Sequence, residues 1–207
     1  MQQLRPDGRH ETSVVLPLVA AFIPIRYKMK HNLDQTLALL AATPAALNAL
    51  LRGLPAAWTQ SNEGSDSWTA TEVIGHLVHC ERVDWLARAK RILEFGESRA
   101  FDPFDRFAHL TESRERPIAE LLDEFARLRA ENLEELRAMR IGPEELALKG
   151  LHPALGVLTL SDLLAAWAVH DMTHLHQISR ILAVQYREAA GPFAAYLGVL
   201  KCAGHGG

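Results

Sequence analysis

The sequence predicts an all-α protein: a four-helix bundle with a short extra helix after it and an N-terminal arm before it. Apolar residues recur at helical spacing in four long segments. No segment shows the alternation of period two that marks a half-buried strand. Four amphipathic helices bury their apolar stripes most simply by packing together, which favours a bundle over the other layer architectures.

The first two helices have different start and stop signals. Leucines at helical spacing predict the first helix over Leu33–Leu54, with a kink or break just before Pro44, because proline cannot continue the helical hydrogen bonds. The second helix begins at a capping box formed by Thr69 and Glu72. It is predicted to run without interruption to about Leu93.

Further sequence signals set the boundaries of the remaining helices. The third is predicted over Pro117–Met139, with proline in its first turn. Thr159 and Asp162 form a second capping box, from which the fourth helix is predicted to reach about Gln185. A short fifth helix is predicted over Pro192–Cys202.

Length and composition predict a single soluble domain. The 207 residues divide into an arm, 1–30, which is expected to be irregular, and a bundle domain, 31–203. Apolar residues make up 48% and charged residues 23%, as is ordinary for globular proteins. The formal net charge is −3, so the chain lacks the basic field that nucleic-acid binding requires.

Cysteine and hydropathy patterns predict a cytoplasmic protein that does not cross a membrane. Cys80 and Cys202 form no CxxC pair, so neither a disulfide scaffold nor a cysteine-based zinc site is indicated. The apolar segment Val14–Ile25 is broken by prolines and is shorter than the roughly 20 residues that span a bilayer.

Three of the ten histidines are candidate metal ligands. His170 and His174 are four residues apart on the fourth helix, so their side chains share one face. Catalytic zinc sites usually take three protein ligands, and His76 on the second helix is the best third. Three neutral imidazoles suit zinc, nickel, iron(II) or manganese. Spacing alone does not distinguish this site from hydrogen-bonded core histidines.

Two motifs resemble the DinB-like superfamily. They are Trp68–Leu77, WTATEVIGHL, and Leu160–Ile178, LSDLLAAWAVHDMTHLHQI. The resemblance extends roughly over Leu33–Leu200 and implies an antiparallel four-helix bundle. Carried over position by position, the metal ligands of the family are His76, His170 and His174.

The resemblance also implies a class of reaction. Relatives of this kind use a bound divalent metal to lower the pKa of a low-molecular-weight thiol, which then attacks an electrophile as the thiolate. The sequence therefore predicts a metal-dependent S-transferase whose partners are a small thiol and an electrophile. A metal-dependent hydrolase and a bundle that binds metal or small molecules without chemistry remain alternatives. A homodimer is expected, since such bundles often leave one apolar stripe uncovered.

The positions of several other residues on the helices indicate possible roles. Gln177, one turn from His174, is a candidate partner of a ligand or substrate, and Glu72 is a candidate outer-shell acceptor. Cys80 lies one turn beyond His76 and could reach the metal, although burial as a small apolar side chain is favoured. Asp171 is another candidate outer-shell acceptor, although solvated surface is favoured for it, and the charged run Arg127–Glu135 is predicted to be a solvated helix face.

Overall fold

A computed structural model describes residues 30–64 and 67–202 of the chain, and the predicted arm therefore lies almost entirely outside the described residues. The all-α fold class is confirmed. No helix among the described residues has the length and apolarity that a bilayer crossing requires. The α-helices are α1 Leu33–Leu51, α2 Ala56–Thr59, α3 Ala70–Val83, α4 Trp85–Phe95, α5 Leu110–Arg114, α6 Ile118–Ala138, α7 Pro143–Leu146 and α8 Leu160–Val184.

Helix α1 passes through Pro44 without the predicted break. Proline removes the N–H that would have bonded to the carbonyl of Leu40, four residues earlier. In the folded protein Arg129 supplies the missing donor, because its Nη1 lies 2.8 Å from that carbonyl oxygen. A side chain of α6 therefore satisfies the group that proline leaves open, and the helix continues.

The segment predicted as one second helix forms two helices in the structure, α3 and α4. The capping box is present, with Thr69 and Glu72 each accepting from the other's backbone N–H at 3.1 and 2.8 Å. The helix then stops at Asp84, whose φ of −110° and ψ of −85° are not helical. Asp84 closes α3 by donating its N–H to the carbonyl of Cys80 and opens α4 by accepting from the N–H of Arg88. This break lets α4 pack separately against α8.

The core forms two apolar clusters at opposite ends of α8, one using its residues up to Ala168 and the other Ile178 and Ile181. One apolar cluster is centred on Trp167 and includes Phe101 and Leu136, and the other is centred on Phe125 and includes Ile74 and Ile178. The predicted capping box of α8 is present. Helices α3 and α8 are thus fixed along their length by packing, which holds the side chains between them in place.

A β-hairpin precedes α8 and was not predicted. Strand β1, Lys149–His152, pairs antiparallel with β2, Gly156–Thr159. The turn is stabilised by His152, whose Nδ1 accepts the N–H groups of Ala154 and Leu155 at 3.0 and 3.1 Å. Strands of four residues are too short to show a clear alternation, which explains the missed prediction.

The C-terminal segment forms two 3₁₀ turns, Gly191–Ala195 and Gly198–Leu200, where a short α-helix was predicted over Pro192–Cys202. Gly191 has a φ of +52°, a conformation that glycine adopts readily. The six residues between Gly191 and Gly198 leave too little length for a cooperative α-helix.

Candidate metal centre

Two helices bring four potential ligands together. Helix α3 contributes His76 and Cys80, and α8 contributes His170 and His174, each pair separated by one helical turn. The Nε2 of His170 lies 3.3 Å from the Nε2 of His76 and 3.1 Å from the Nε2 of His174. The structure therefore brings the three predicted histidines together around His170, and His174 contacts the group through the Nε2 of His170.

The spacing of the nitrogen atoms suits a shared metal ion. Nitrogen ligands of zinc lie about 2.0–2.1 Å from the metal, so two of them in tetrahedral geometry are about 3.3–3.4 Å apart. The two separations around His170, 3.1 and 3.3 Å, are close to this value. A divalent ion would require little movement of the imidazoles.

Burial keeps the imidazoles in the form that binds metals. His76 is 5% exposed, and burial, aided by repulsion from the neighbouring histidines, lowers its pKa to about 2. Burial likewise lowers the pKa of His170 to about 3 and lowers the pKa of His174, although Gln177 and Asp171 oppose the shift of His174. Neutral imidazole is the ligand form.

Gln177 orients one of the histidines. Its Oε1 lies 2.8 Å from the Nδ1 of His174. With the amide in this orientation, Nδ1 carries the proton, so the lone pair of Nε2 points into the cluster. The Nδ1 atoms of His76 and His170 are buried without a hydrogen-bond partner among the described residues.

Cys80 lies within reach of the same point. Its Sγ is 3.4 Å from the Nε2 of His76. The ligand atoms of His76, Cys80 and His170 all lie within 4.8 Å of one another. Burial, with the nearby charges of Asp84 and Glu81, raises the pKa of the Cys80 thiol well above its usual range, so without a cation the sulfur is protonated.

The carboxylate of Glu72 bonds to groups other than the three histidines. One of its carboxylate oxygens accepts the Thr69 N–H of the capping box, and the other accepts from Arg114. These two bonds hold Glu72 at the start of α3. The hydrogen bonds of the described residues do not join it to His76, His170 or His174, so its predicted outer-shell role finds no contact to support it.

A cluster of buried charged side chains includes Arg129, Asp171 and Glu81. Two predictions made from the sequence were wrong about its members. Arg129, predicted to be solvated with the rest of Arg127–Glu135, is 1% exposed. It donates to both carboxylate oxygens of Asp171 at 2.6 and 3.0 Å and to Glu81 at 2.8 Å. Asp171, also predicted on the surface, is fully buried. Burial alone would lower the pKa of Arg129, but the two acids raise it.

The cluster carries an excess of negative charge next to the metal site. One guanidinium faces two carboxylates, and the other donors are neutral: Thr43 bonds to Asp171 at 2.6 Å, and Trp167 bonds to Glu81 at 3.1 Å. Glu81 and Asp171 directly follow Cys80 and His170 in the chain. These charges act on the histidines in opposite directions, because Asp171 favours a higher pKa for His174 whereas Arg129 lowers the pKa of His170.

His109 is a functional candidate that the sequence did not reveal. It is 4% exposed, and its ring centroid lies 5.3 Å from that of His76 and 4.8 Å from that of Trp68. Neither ring nitrogen has a hydrogen-bond partner of normal geometry in the described part of the chain, and burial lowers the pKa of His109 to about 4. Gly75 allows this approach, because a Cβ there would lie only 2.3 Å from the Cβ of Ser113 in α5.

Aromatic side chains surround the histidine cluster, and one of them also borders a neighbouring cavity. The ring of Trp68 lies 4.9 Å from that of His76, and the ring of Phe104 lies 5.9 Å from His76 on another side. Phe104 also borders a cavity of about 300 Å³. Charged and polar residues of its wall are His79, Asp84, Arg88, Arg91, Asp102 and Asp105.

Comparison with known proteins identifies the family. The family model described as the DinB superfamily matches residues 39–178, which is more than half of the chain. The chain therefore belongs to the DinB superfamily, and the resemblance found in the sequence is confirmed. No curated protein matches the sequence.

Two solved structures resemble the chain. YfiT from Bacillus subtilis, described as a probable metal-dependent hydrolase with an unusual four-helix bundle topology, is 20% identical with a TM-score of 0.66, over 81% of this chain and 93% of YfiT. TT2238, described as a four-helix bundle protein, is 26% identical with a TM-score of 0.43, over 70% of this chain and 95% of TT2238. The likeness to YfiT supports the bundle fold.

Proposed function

We propose that the protein is a metal-dependent enzyme that activates a low-molecular-weight thiol for transfer to an electrophile. His76, His170 and His174 would hold one divalent ion of zinc, nickel, iron or manganese. The neutral imidazoles and the spacing of the Nε2 atoms around His170 fit a cation. Such an ion supplies positive charge that favours the thiolate over the thiol.

The observation that carries this proposal is the buried cluster of His76, His170 and His174. The candidate thiol site is the neighbouring cavity. It is large enough for part of a small molecule, and Phe104 belongs both to its wall and to the surroundings of His76. Arg88 and Arg91 give it a basic side. Most cellular low-molecular-weight thiols carry carboxylates, which guanidinium groups bind with charge-assisted hydrogen bonds.

Arg91 is the better anchor of the two arginines. Arg88 pairs with Asp84 at 2.6 Å, and both side chains are largely buried. Arg91 is instead paired with Asp102, whose side chain is 76% exposed. Arg91 donates to both carboxylate oxygens of Asp102, and the exposed Asp102 carboxylate can turn into solvent when a substrate carboxylate takes its place.

The remaining side chains keep the site dry and ordered. Trp68 is 8% exposed and covers His76 and His174. Gln177 holds His174 in one orientation. Excluding water strengthens the electrostatic effect of a cation on a bound sulfur. His109 adds a neutral imidazole beside His76 that can accept or donate one hydrogen bond.

A thiol-transfer assay tests the function. Metal-loaded protein is incubated with a panel of thiols (bacillithiol, mycothiol, glutathione, cysteamine) and with haloaromatic or epoxide electrophiles, and thioether formation is followed by mass spectrometry. We expect product with at least one thiol, lost when a chelator removes the metal and restored by adding it back. If loaded protein consumes no thiol, the transferase proposal is wrong and a bundle without this chemistry remains. Thiol-independent ester hydrolysis would favour the hydrolase instead.

Replacing Arg91 with alanine tests the cavity as the thiol site. Loss of a charge-assisted hydrogen bond removes about 1.5 kcal/mol or more, so the KM for a carboxylate-bearing thiol should rise about tenfold. The kcat should change little, and cysteamine, which has no carboxylate, should be unaffected. Arg99→Ala is the control, since Arg99 packs over Phe95 and does not line the cavity. An equal loss for both thiols would contradict this placement.

The expected partners are thus a small thiol and an electrophile. The homodimer, the cytoplasmic location and the absence of nucleic-acid binding remain predictions from the sequence. Light scattering during size-exclusion chromatography measures the oligomeric state directly.

A further inference from the structure

We infer that Cys80 is a fourth protein ligand of the metal. This inference rests on the proposed three-histidine site and names a further donor to the same ion. The sequence favoured a buried apolar role for Cys80, and its burial is confirmed. The direction of its sulfur toward the histidine nitrogens is what the apolar role does not explain.

The geometry favours coordination in two ways. A zinc ion bound to nitrogen at about 2.0–2.1 Å and to sulfur at about 2.3 Å separates the two ligand atoms by about 3.5 Å in tetrahedral geometry. The observed separation between the Sγ of Cys80 and the Nε2 of His76 is 3.4 Å. The sulfur also approaches Nε2, the atom that points into the cluster, and it lies within 4.8 Å of the ligand atom of His170.

The arrangement of the helices supports the same conclusion. His76 and Cys80 are four residues apart on α3, as His170 and His174 are on α8. Two facing helices thus present matching pairs, each with donors one turn apart. The ligand atoms of His76, Cys80 and His170 all lie within 4.8 Å of one another, and the Nε2 of His174 lies 3.1 Å from that of His170.

Coordination of the metal by Cys80 releases one proton and transfers no electrons. The S–H bond breaks, a sulfur–metal bond forms from the same electron pair, and the proton leaves to solvent, with no change in oxidation state. The thiolate adds one negative charge to the three neutral imidazoles. An external thiol that binds the same ion would have to compete with Cys80 for its position.

Cobalt(II) spectroscopy tests the inference without an activity measurement. Cobalt(II) bound to thiolate gives a charge-transfer band in the near ultraviolet that imidazole ligands do not give. The Cys202→Ser protein, in which Cys80 is the only cysteine, is titrated with cobalt(II). We expect one equivalent to bind with the thiolate band, and we expect Cys80→Ser to bind cobalt(II) with the band lost. Cys202 is exposed, so its replacement should leave the wild-type spectrum unchanged.

The outcomes separate the two proposals. Binding of one cobalt(II) by Cys202→Ser without a thiolate band would overturn the role of Cys80 and leave the three histidines as ligands. If that protein binds neither cobalt(II) nor zinc, nickel or manganese, the metal site itself is wrong and the inference fails with it. Because Cys202→Ser alone decides the question, the test does not depend on the folding of Cys80→Ser.

Discussion

Replacing His170 with alanine is expected to abolish stoichiometric metal binding. His170 is the central residue of the cluster, since its Nε2 lies within 3.1–3.3 Å of both other imidazoles. Loss of an outer-shell partner alone typically lowers metal affinity 10- to 100-fold, so loss of this ligand should lower it by more than about 100-fold. The measurement is metal content by inductively coupled plasma mass spectrometry after dialysis, together with a zinc titration.

The matched control is a histidine outside the cluster. His152→Asn removes an imidazole from the β-hairpin and keeps an acceptor for the turn that His152 stabilises. It should retain about one equivalent of metal, as the wild type should. Retention of one equivalent by His170→Ala, or by His76→Ala in the same experiment, would contradict the three-histidine site.

Replacing Arg129 with alanine is expected to cause the largest loss of stability of any single change considered. Removing the guanidinium leaves Glu81 and Asp171 buried without a cation, and breaking a buried pair in this way costs about 3–5 kcal/mol. It also removes the donor to the Leu40 carbonyl beside Pro44. The free energy of unfolding is measured by urea titration of metal-free protein, so that metal binding does not contribute.

The neighbouring Arg127 provides the control for this prediction. Arg127 pairs with Glu131 on the exposed face of α6, with both side chains more than half exposed. Arg127→Ala should therefore change the free energy of unfolding by less than about 1 kcal/mol. Arg129→Lys keeps the charge and loses the bidentate geometry. Its loss of unfolding free energy should therefore lie between those of Arg129→Ala and Arg127→Ala. A value for Arg129→Ala within 1 kcal/mol of Arg127→Ala would show that the buried cluster does not stabilise the fold.

Local signals in the sequence predicted most of the helices. The capping boxes at Thr69 and Thr159 set the starts of α3 and α8 correctly, because they depend only on residues within one turn. The missed features depend on distant contacts. The continuity of α1 at Pro44 requires Arg129, which is 85 residues away in the chain, and the break at Asp84 accompanies the separate packing of α4 on α8.

The buried ion cluster was missed for a related reason. Arg129 stands in a charged run but also one heptad from Leu122 and Leu136, so it occupies the apolar stripe of α6. A single arginine in such a stripe is a signal for a buried partner. Which acid it meets depends on how α3, α6 and α8 pack, so neither Glu81 nor Asp171 could be assigned from their own surroundings in the sequence.

The candidate site was predictable where it depends on helical spacing. The pair His170 and His174 follows from a separation of four residues, His76 was the best third ligand by its position on the second helix, and the resemblance to the DinB superfamily supported all three. His109 had no such signal, because it directly precedes α5, a helix of five residues that is too short to show a periodicity. The contact that brings His109 to His76 arises from packing of α5 against Gly75.

X-ray absorption spectroscopy of the zinc-loaded protein tests the central claim, a metal ion held by His76, His170 and His174, most directly. We expect three nitrogen scatterers at about 2.0–2.1 Å with the multiple-scattering pattern of imidazole, and one sulfur at about 2.3 Å if Cys80 is also bound. In the His170→Ala protein the imidazole count should fall. A first shell of oxygen atoms without imidazole scattering would contradict the three-histidine centre.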